Sequence, residues 1–158
     1  MTPTELTHLR RCIELAGEAR DRGDEPFGSI LVGGDGVVLA ERSNQVVTDH
    51  DVTAHPELWL AAWASRNLPP AEAATATLYT SGESCAMCSG AQVWAGIGRL
   101  VFVMSGEQLG AKRGPGGPSL RLSSREVFAR GHAAIVAEGP VDELVDEVFA
   151  LFDPPPPG

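Results

Sequence analysis

Positive charge is what this sequence lacks most. Twelve Lys and Arg stand against twenty-one Asp and Glu, a net charge of −9. Affinity for nucleic acid rests largely on Lys and Arg neutralising phosphates. No basic run compensates here, so nucleic acid is not an expected partner. Long apolar runs are missing too. None approaches the ~18 residues of a membrane span, so no membrane association is expected. The opening MTPTELTHLRRC lacks the basic-then-apolar order of a signal peptide, and a cytoplasmic address is the expectation. Cysteines number three, with two of them three residues apart. That is a poor disulfide framework, and it suits thiols that bind metal or do redox chemistry in a reducing compartment.

What is present is the balance of an ordinary globular protein, 43% hydrophobic and 21% charged residues. The length of 158 residues favours one domain with a real core. That domain is expected over residues 1–153. Residues 154–158 form a proline-rich tail expected to be disordered.

The elements read in order. Thr2-Pro3-Thr4-Glu5 has a capping threonine, a proline suited to the first helical position and a glutamate that completes a capping box. Leu6, Leu9, Ile13 and Ala16 follow at helical spacing, so a helix is expected over about 3–21. Phe27–Val32 and Val37–Glu41 read as strands joined by the turn Gly33-Gly34-Asp35-Gly36. Residues 43–53 read as a polar loop, and 54–67 as a buried helix stopped by Leu68-Pro69-Pro70. Thr77–Thr80 reads as a strand, Cys85–Ala95 as a helix closed by Gly96, and Leu100–Met104 as a strand. Lys112–Pro118 reads as a flexible loop, Ala133–Ala137 as a fifth strand and Val141–Phe152 as a final helix. This alternation predicts an α/β protein, a mixed sheet covered by helices.

Two clusters carry chemistry. In Glu83-Ser84-Cys85-Ala86-Met87-Cys88, the two cysteines share one helix face. If the helix begins near Cys85, with Ser84 as its cap, the positive end of the helix dipole favours their thiolates, the form that binds zinc. In His55-Pro56-Glu57, the residues two apart diverge by about 200° around a helix and meet only at a point beyond its start. Pro56 disfavours helical geometry at His55 and suits the first turn, so it argues for a start here. Two helix starts facing one point make a cation site with three protein ligands: His55, Cys85 and Cys88. Three ligands leave a position for water, the mark of a catalytic rather than a structural zinc site. Glu57 alongside is placed to move protons. The competing readings are a redox pair of thiols, and a Glu57 that merely favours the helix start.

This pattern resembles the zinc nucleobase and nucleoside deaminases, whose signature is H-x-E followed by P-C-x-x-C. The resemblance spans roughly residues 5–110. It includes Pro26-Phe27-Gly28, Asn44, Thr53-Ala54-His55-Pro56-Glu57, Cys85-Ala86-Met87-Cys88, Gly90-Ala91, Trp94-Ala95 and Arg99-Leu100-Val101-Phe102. The branch it looks like holds guanine deaminases, bacterial cytosine-deaminase-like enzymes and tRNA adenosine deaminases. It departs from the family at Pro56, usually Ala, and at Ser84, usually Pro.

The resemblance implies a three-layer α/β/α cytidine-deaminase-like sandwich with a five-stranded mixed sheet. It implies one Zn2+ per chain and hydrolytic removal of an exocyclic amine as ammonia, with metal-activated water as nucleophile and Glu57 as proton shuttle. The expected substrate is a free nucleobase or analogue of guanine, cytosine, isoguanine or aminotriazine type, and the expected assembly is a homodimer. Asn44 and Trp94 are the implied substrate contacts, joined by Phe27 and by main-chain groups near Ala54 and Ser84. Against these stand a turn role for Asn44 and packing roles for Trp94 and Phe27. Guanine deaminases carry an acid in the loop after the fourth strand. Glu107 lies loosely there, and Asp142, Glu143, Asp146 and Glu147 are other candidates. Alternative readings are a tRNA adenosine deaminase, and a non-catalytic zinc-stabilised module with His132 or Cys12 as a fourth ligand.

Overall fold

A computed structural model describes residues 1–114 and 120–153 of the chain. Helix α1 covers Pro3–Arg22, with the expected capping box: the Thr2 side chain accepts from the Glu5 amide, and Glu5 reaches back to the Thr2 amide. Strands β1 (Gly28–Val32) and β2 (Val38–Ser43) form an antiparallel hairpin. Its turn needs Gly36, whose φ is +84°. Then follow α2 (Pro56–Asn67), α3 (Pro70–Thr75), β3 (Thr77–Gly82), α4 (Ala86–Ala95) and β4 (Arg99–Met104). The chain continues with α5 (Gly106–Arg113), α6 (Ser124–Phe128), β5 (Val136–Glu138) and α7 (Asp142–Phe149), which runs into a 3-10 turn at Ala150–Phe152.

The sheet order is β2-β1-β3-β4-β5. β1 is antiparallel to β2 and β3, whereas β3, β4 and β5 run parallel. This is the mixed five-stranded sheet of the expectation. Strand side chains alternate between faces. Ile30, Val32, Tyr79, Val101 and Val103 face the layer of α1 and α7, where they meet Leu9, Leu15, Leu144 and Val148. Leu31, Leu78, Leu100 and Phe102 face the layer of α2, α4 and α6, where they meet Leu60, Ala61, Ala64 and Phe128. Removing each such leucine from water stabilises the fold by about 1.5–3 kcal/mol. Gly28 lets α1 lie against β1, because a Cβ there would stand 2.5 Å from the Cys12 carbonyl oxygen.

Several elements depart from the sequence expectation. The helices α3, α5 and α6 were not expected. α5 and α6 both start with a serine capping box, at Ser105 with Gln108 and at Ser123 with Glu126. Lys112 and Arg113, expected in a flexible loop, end α5, while 115–119 lie outside the described residues. The tail 154–158 also lies outside them. The fifth strand begins at Val136 rather than at Ala133. No described helix is long and apolar enough to cross a membrane.

Candidate active site

The topology brings three chain ends together. β1 is antiparallel to both its neighbours, so the last residue of β2 lies beside the first of β1, Ser43 against Gly28. Ser29, the next residue of β1, pairs with Thr80, near the end of β3. The segment after β2 leads to α2 and the segment after β3 leads to α4, so both helices begin at this same end of the sheet. Ligand sites of open α/β sheets form at such strand ends.

His55 is the N-cap residue of α2 and Cys85 that of α4, both with extended backbone. The expected cap at Ser84 is one residue early. Ser84 makes no cap, and its buried hydroxyl has no partner among the described residues. Cys88 lies in the first turn of α4 and is fully buried, whereas Cys85 is exposed. The sulfurs of Cys85 and Cys88 are 3.6 Å apart, and His55 Nδ1 lies 3.8 Å from Cys85 and 3.6 Å from Cys88. A tetrahedral zinc with ~2.3 Å bonds to sulfur and ~2.05 Å to nitrogen sets its donors about 3.8 Å apart for sulfur pairs and about 3.6 Å for sulfur and nitrogen. The donor set therefore fits zinc in chemistry and in spacing. Among the described residues the group has three members, with no fourth ligand from His132 or Cys12. Cys12 is instead part of the core under α1.

The electrostatics favour a thiolate. The hydrogen bond with Cys88 pulls Cys85 down to about 4, with help from His55 and against burial. Cys88 is driven up by Cys85, by burial and by the charge of Glu57. His55 is raised, first by its contact with Cys85 and also by the charge of Glu57, against burial.

Glu57, in the first turn of α2, is 5% exposed. Its Oε1 accepts from Ser29 Oγ at 2.8 Å and from Thr80 Oγ1 at 2.7 Å. Asn44 is fully buried. Its Oδ1 accepts from the Val46 amide at 3.0 Å, while Nδ2 has no partner among the described residues. The loop that carries Asn44 is pinned by Asp24. That carboxylate accepts from the amides of Val47 and Thr48, the Thr48 hydroxyl and Arg22 Nε, while Arg22 Nη2 donates to the Asn44 carbonyl. Glu83, two residues before Cys85, accepts from the Gly106 and Ser124 amides and from Ser124 Oγ. It thereby fastens the cysteine-bearing turn to the starts of α5 and α6.

The other expected site residues have these surroundings. Ala54 uses both main-chain groups inside the loop, donating to Asp51 and accepting from Gln45. The Ser84 carbonyl accepts from Ser89 Oγ. Phe27 packs on the core, edge-on to Phe152 and under the Arg113 guanidinium. Trp94 is 92% exposed and borders a groove lined by Leu58, Ala61, Ala62, Ala91 and Ala95. Glu107 and the four acids of α7 are exposed, and α7 packs on the sheet face opposite α2 and α4.

The sequence reading passed over Ser29, Thr80, Asp24 and Glu83. For Ser29 and Thr80 a signal existed. Each is a polar residue at an inward-facing position of a strand whose neighbours on that face, Leu31 and Leu78, are apolar core. Asp24 and Glu83 left no comparable local mark.

Residues 3–104 match the family described as the cytidine and deoxycytidylate deaminase zinc-binding region. The chain belongs to that family. It is 37% identical over 145 residues to the "Probable cytosine deaminase" of Schizosaccharomyces pombe, covering 90% of this chain and 88% of the relative. It is 41% identical over 90 residues to the guanine deaminase of Bacillus subtilis, covering 56% of this chain and 57% of the relative. Its fold superposes with a TM-score of 0.68 on a structure from work on A-to-I editing by tRNA:A34 deaminases, at 27% identity, covering 92% of this chain and 99% of the other. The family is zinc-binding, and in this deaminase-family chain His55, Cys85 and Cys88 are the donor set that suits the metal.

Proposed function

We propose that the chain is a zinc-dependent nucleobase deaminase that hydrolytically removes an exocyclic amine from a free base or base analogue, of which cytosine and guanine are the leading candidates. The observation that carries this reading is a buried carboxylate, Glu57, beside three donors spaced for a metal with a free coordination position. His55, Cys85 and Cys88 hold the zinc. When bound there, zinc acidifies water and so supplies a nucleophile at neutral pH.

The chain's own groups do the rest. Glu57 takes the proton released as the water oxygen bonds to the amine-bearing carbon, and delivers it to the adjacent ring nitrogen. The C–N bond then breaks, and the amine leaves as ammonia with the second proton of the water. Asn44 presents an unpaired amide N–H to a ring carbonyl or nitrogen, and binding of such an acceptor removes the cost of burying that donor alone. Ser84, with its unpaired hydroxyl, is a second candidate contact.

The net charge of −9 and the higher identity to the Schizosaccharomyces pombe relative, 37%, support a small base over tRNA. The likeness to the tRNA:A34 deaminase fold favours tRNA adenosine deamination as the second reading. An ammonia-release screen over cytosine, guanine, isoguanine, aminotriazines, nucleosides and tRNA distinguishes the two. Glu57→Ala is expected to keep zinc and lose turnover by about 10²- to 10⁴-fold. A variant that still releases ammonia at the parent rate rejects the mechanism. The exposed Trp94 beside an apolar groove also supports a homodimer. Sedimentation as a single 16.6 kDa species at micromolar concentration rejects that assembly.

A further inference from the structure

Ser29 and Thr80 are fully buried polar residues on the sheet face that otherwise carries Leu31, Leu78, Leu100 and Phe102. They pair across the antiparallel β1–β3 register, directly below the first turn of α2. Their oxygens and Glu57 Oε1 form a closed triangle with sides of 2.7, 2.8 and 2.9 Å. Thr80 Oγ1 has a further acceptor, the Gly82 carbonyl at 2.8 Å. Glu57 Oε2 accepts no hydrogen bond among the described residues.

We infer that Ser29 and Thr80 are positioning residues that lock Oε1 of Glu57 and so reserve Oε2 as the one oxygen that carries the proton. The inference rests on the role proposed above for Glu57. A glutamate has three rotatable bonds, and a misplacement of about 1 Å at a reacting group costs about 10²-fold in rate. Two hydroxyls on one oxygen remove that freedom, because both belong to adjacent strands of the central sheet. Hydroxyls suit the task better than main-chain amides, because each is donor and acceptor and its hydrogen can turn. Both hydroxyls lie within hydrogen-bond distance of Oε1, and each has a second acceptor in reach, the Gly82 carbonyl for Thr80 and Thr80 Oγ1 for Ser29.

The test compares Ser29→Ala, Thr80→Val, Thr80→Ser and Glu57→Ala by ammonia release, with cytosine and guanine as probe bases, alongside zinc content and melting temperature. Ser29→Ala and Thr80→Val are each expected to lower kcat about tenfold with KM and zinc content unchanged. Thr80→Ser, which keeps the hydroxyl, is expected to restore most of the rate. Parent-like kcat in both hydroxyl-deleted variants overturns the inference, and so does a rate loss that only tracks a lower melting temperature or a higher KM. Should Thr80→Val not fold, Ser29→Ala decides alone. The two failures remain distinct. An active Glu57→Ala removes the underlying reading, whereas an inactive Glu57→Ala beside fully active hydroxyl variants removes only this one.

Discussion

The two faces of the sheet are built to different rules. Against α1 and α7 the strands present Ile30, Val32, Tyr79, Val101 and Val103, an apolar surface closed by Leu9, Leu15, Leu144 and Val148. Against α2 and α4 the same strands present Leu31, Leu78, Leu100 and Phe102, and then, toward the end where both helices start, Ser29 and Thr80. Above that polar floor sit Glu57 and the metal donors, and nearby lies an asparagine with an unpaired amide. A close-packed apolar interior tolerates no unpaired polar group without loss. The face that keeps some is the one organised around a ligand. One face therefore stabilises the molecule, and the other spends part of that stability on chemistry.

This contrast can be broken most decisively at Cys88. Cys88→Ala is expected to reduce zinc retained after dialysis from one per chain to below about a tenth, with turnover lost, because two donors make a much weaker site than three. Elemental analysis reads it directly, and full zinc retention would move the metal elsewhere. On the opposite face, Leu144→Ala is expected to destabilise the fold by about 2–5 kcal/mol in denaturant melts. Turnover per folded molecule should stay within about twofold of the parent. A parallel fall in turnover would mean that the two faces are energetically coupled.

The smallest expected effect is at Asp24, at the edge of the site. Burial opposes its ionisation, but the Thr48 hydroxyl and amide and Arg22 outweigh it and hold the carboxyl below its usual range. A depressed native pKa gives stability that is present above the unfolded value of about 3.9 and lost as pH falls through the native value. Acid melts of the parent should show that loss, and Asp24→Asn should flatten it below about pH 4. An identical acid dependence in both proteins would remove Asp24 as its source.

Much of this was legible from the chain. Pro3, Pro56 and the capping box at Thr2 mark helix starts through local geometry, and α1 and α2 begin where those signals lie. The three glycines and one aspartate of 33–36 mark the hairpin. The short helices α5 and α6 carry capping boxes but no expectation of a helix, because neither is long enough to show an apolar period. Ser84 looked like a cap because serine is a good one. The helix instead caps at Cys85, leaving the Ser84 hydroxyl buried and unpaired. Trp94 looked like pocket lining by family resemblance, yet in the single chain it faces outward.

Residue identity and short spacing were enough to name the donors. Imidazole, thiolates and carboxylate are chemical properties of His55, Cys85, Cys88 and Glu57, and a proline or a helix start acts over a few residues. What surrounds those groups depends on strand register and on which segments the sheet brings to one end. Ser29 reaches Glu57 across 28 positions and Thr80 across 51, and Glu83 reaches Ser124 across 41. No local signal encodes a pairing at that range, because register is decided by the burial of whole strands at once. The chemistry was therefore written in single residues, and its alignment was decided only when the sheet closed around them.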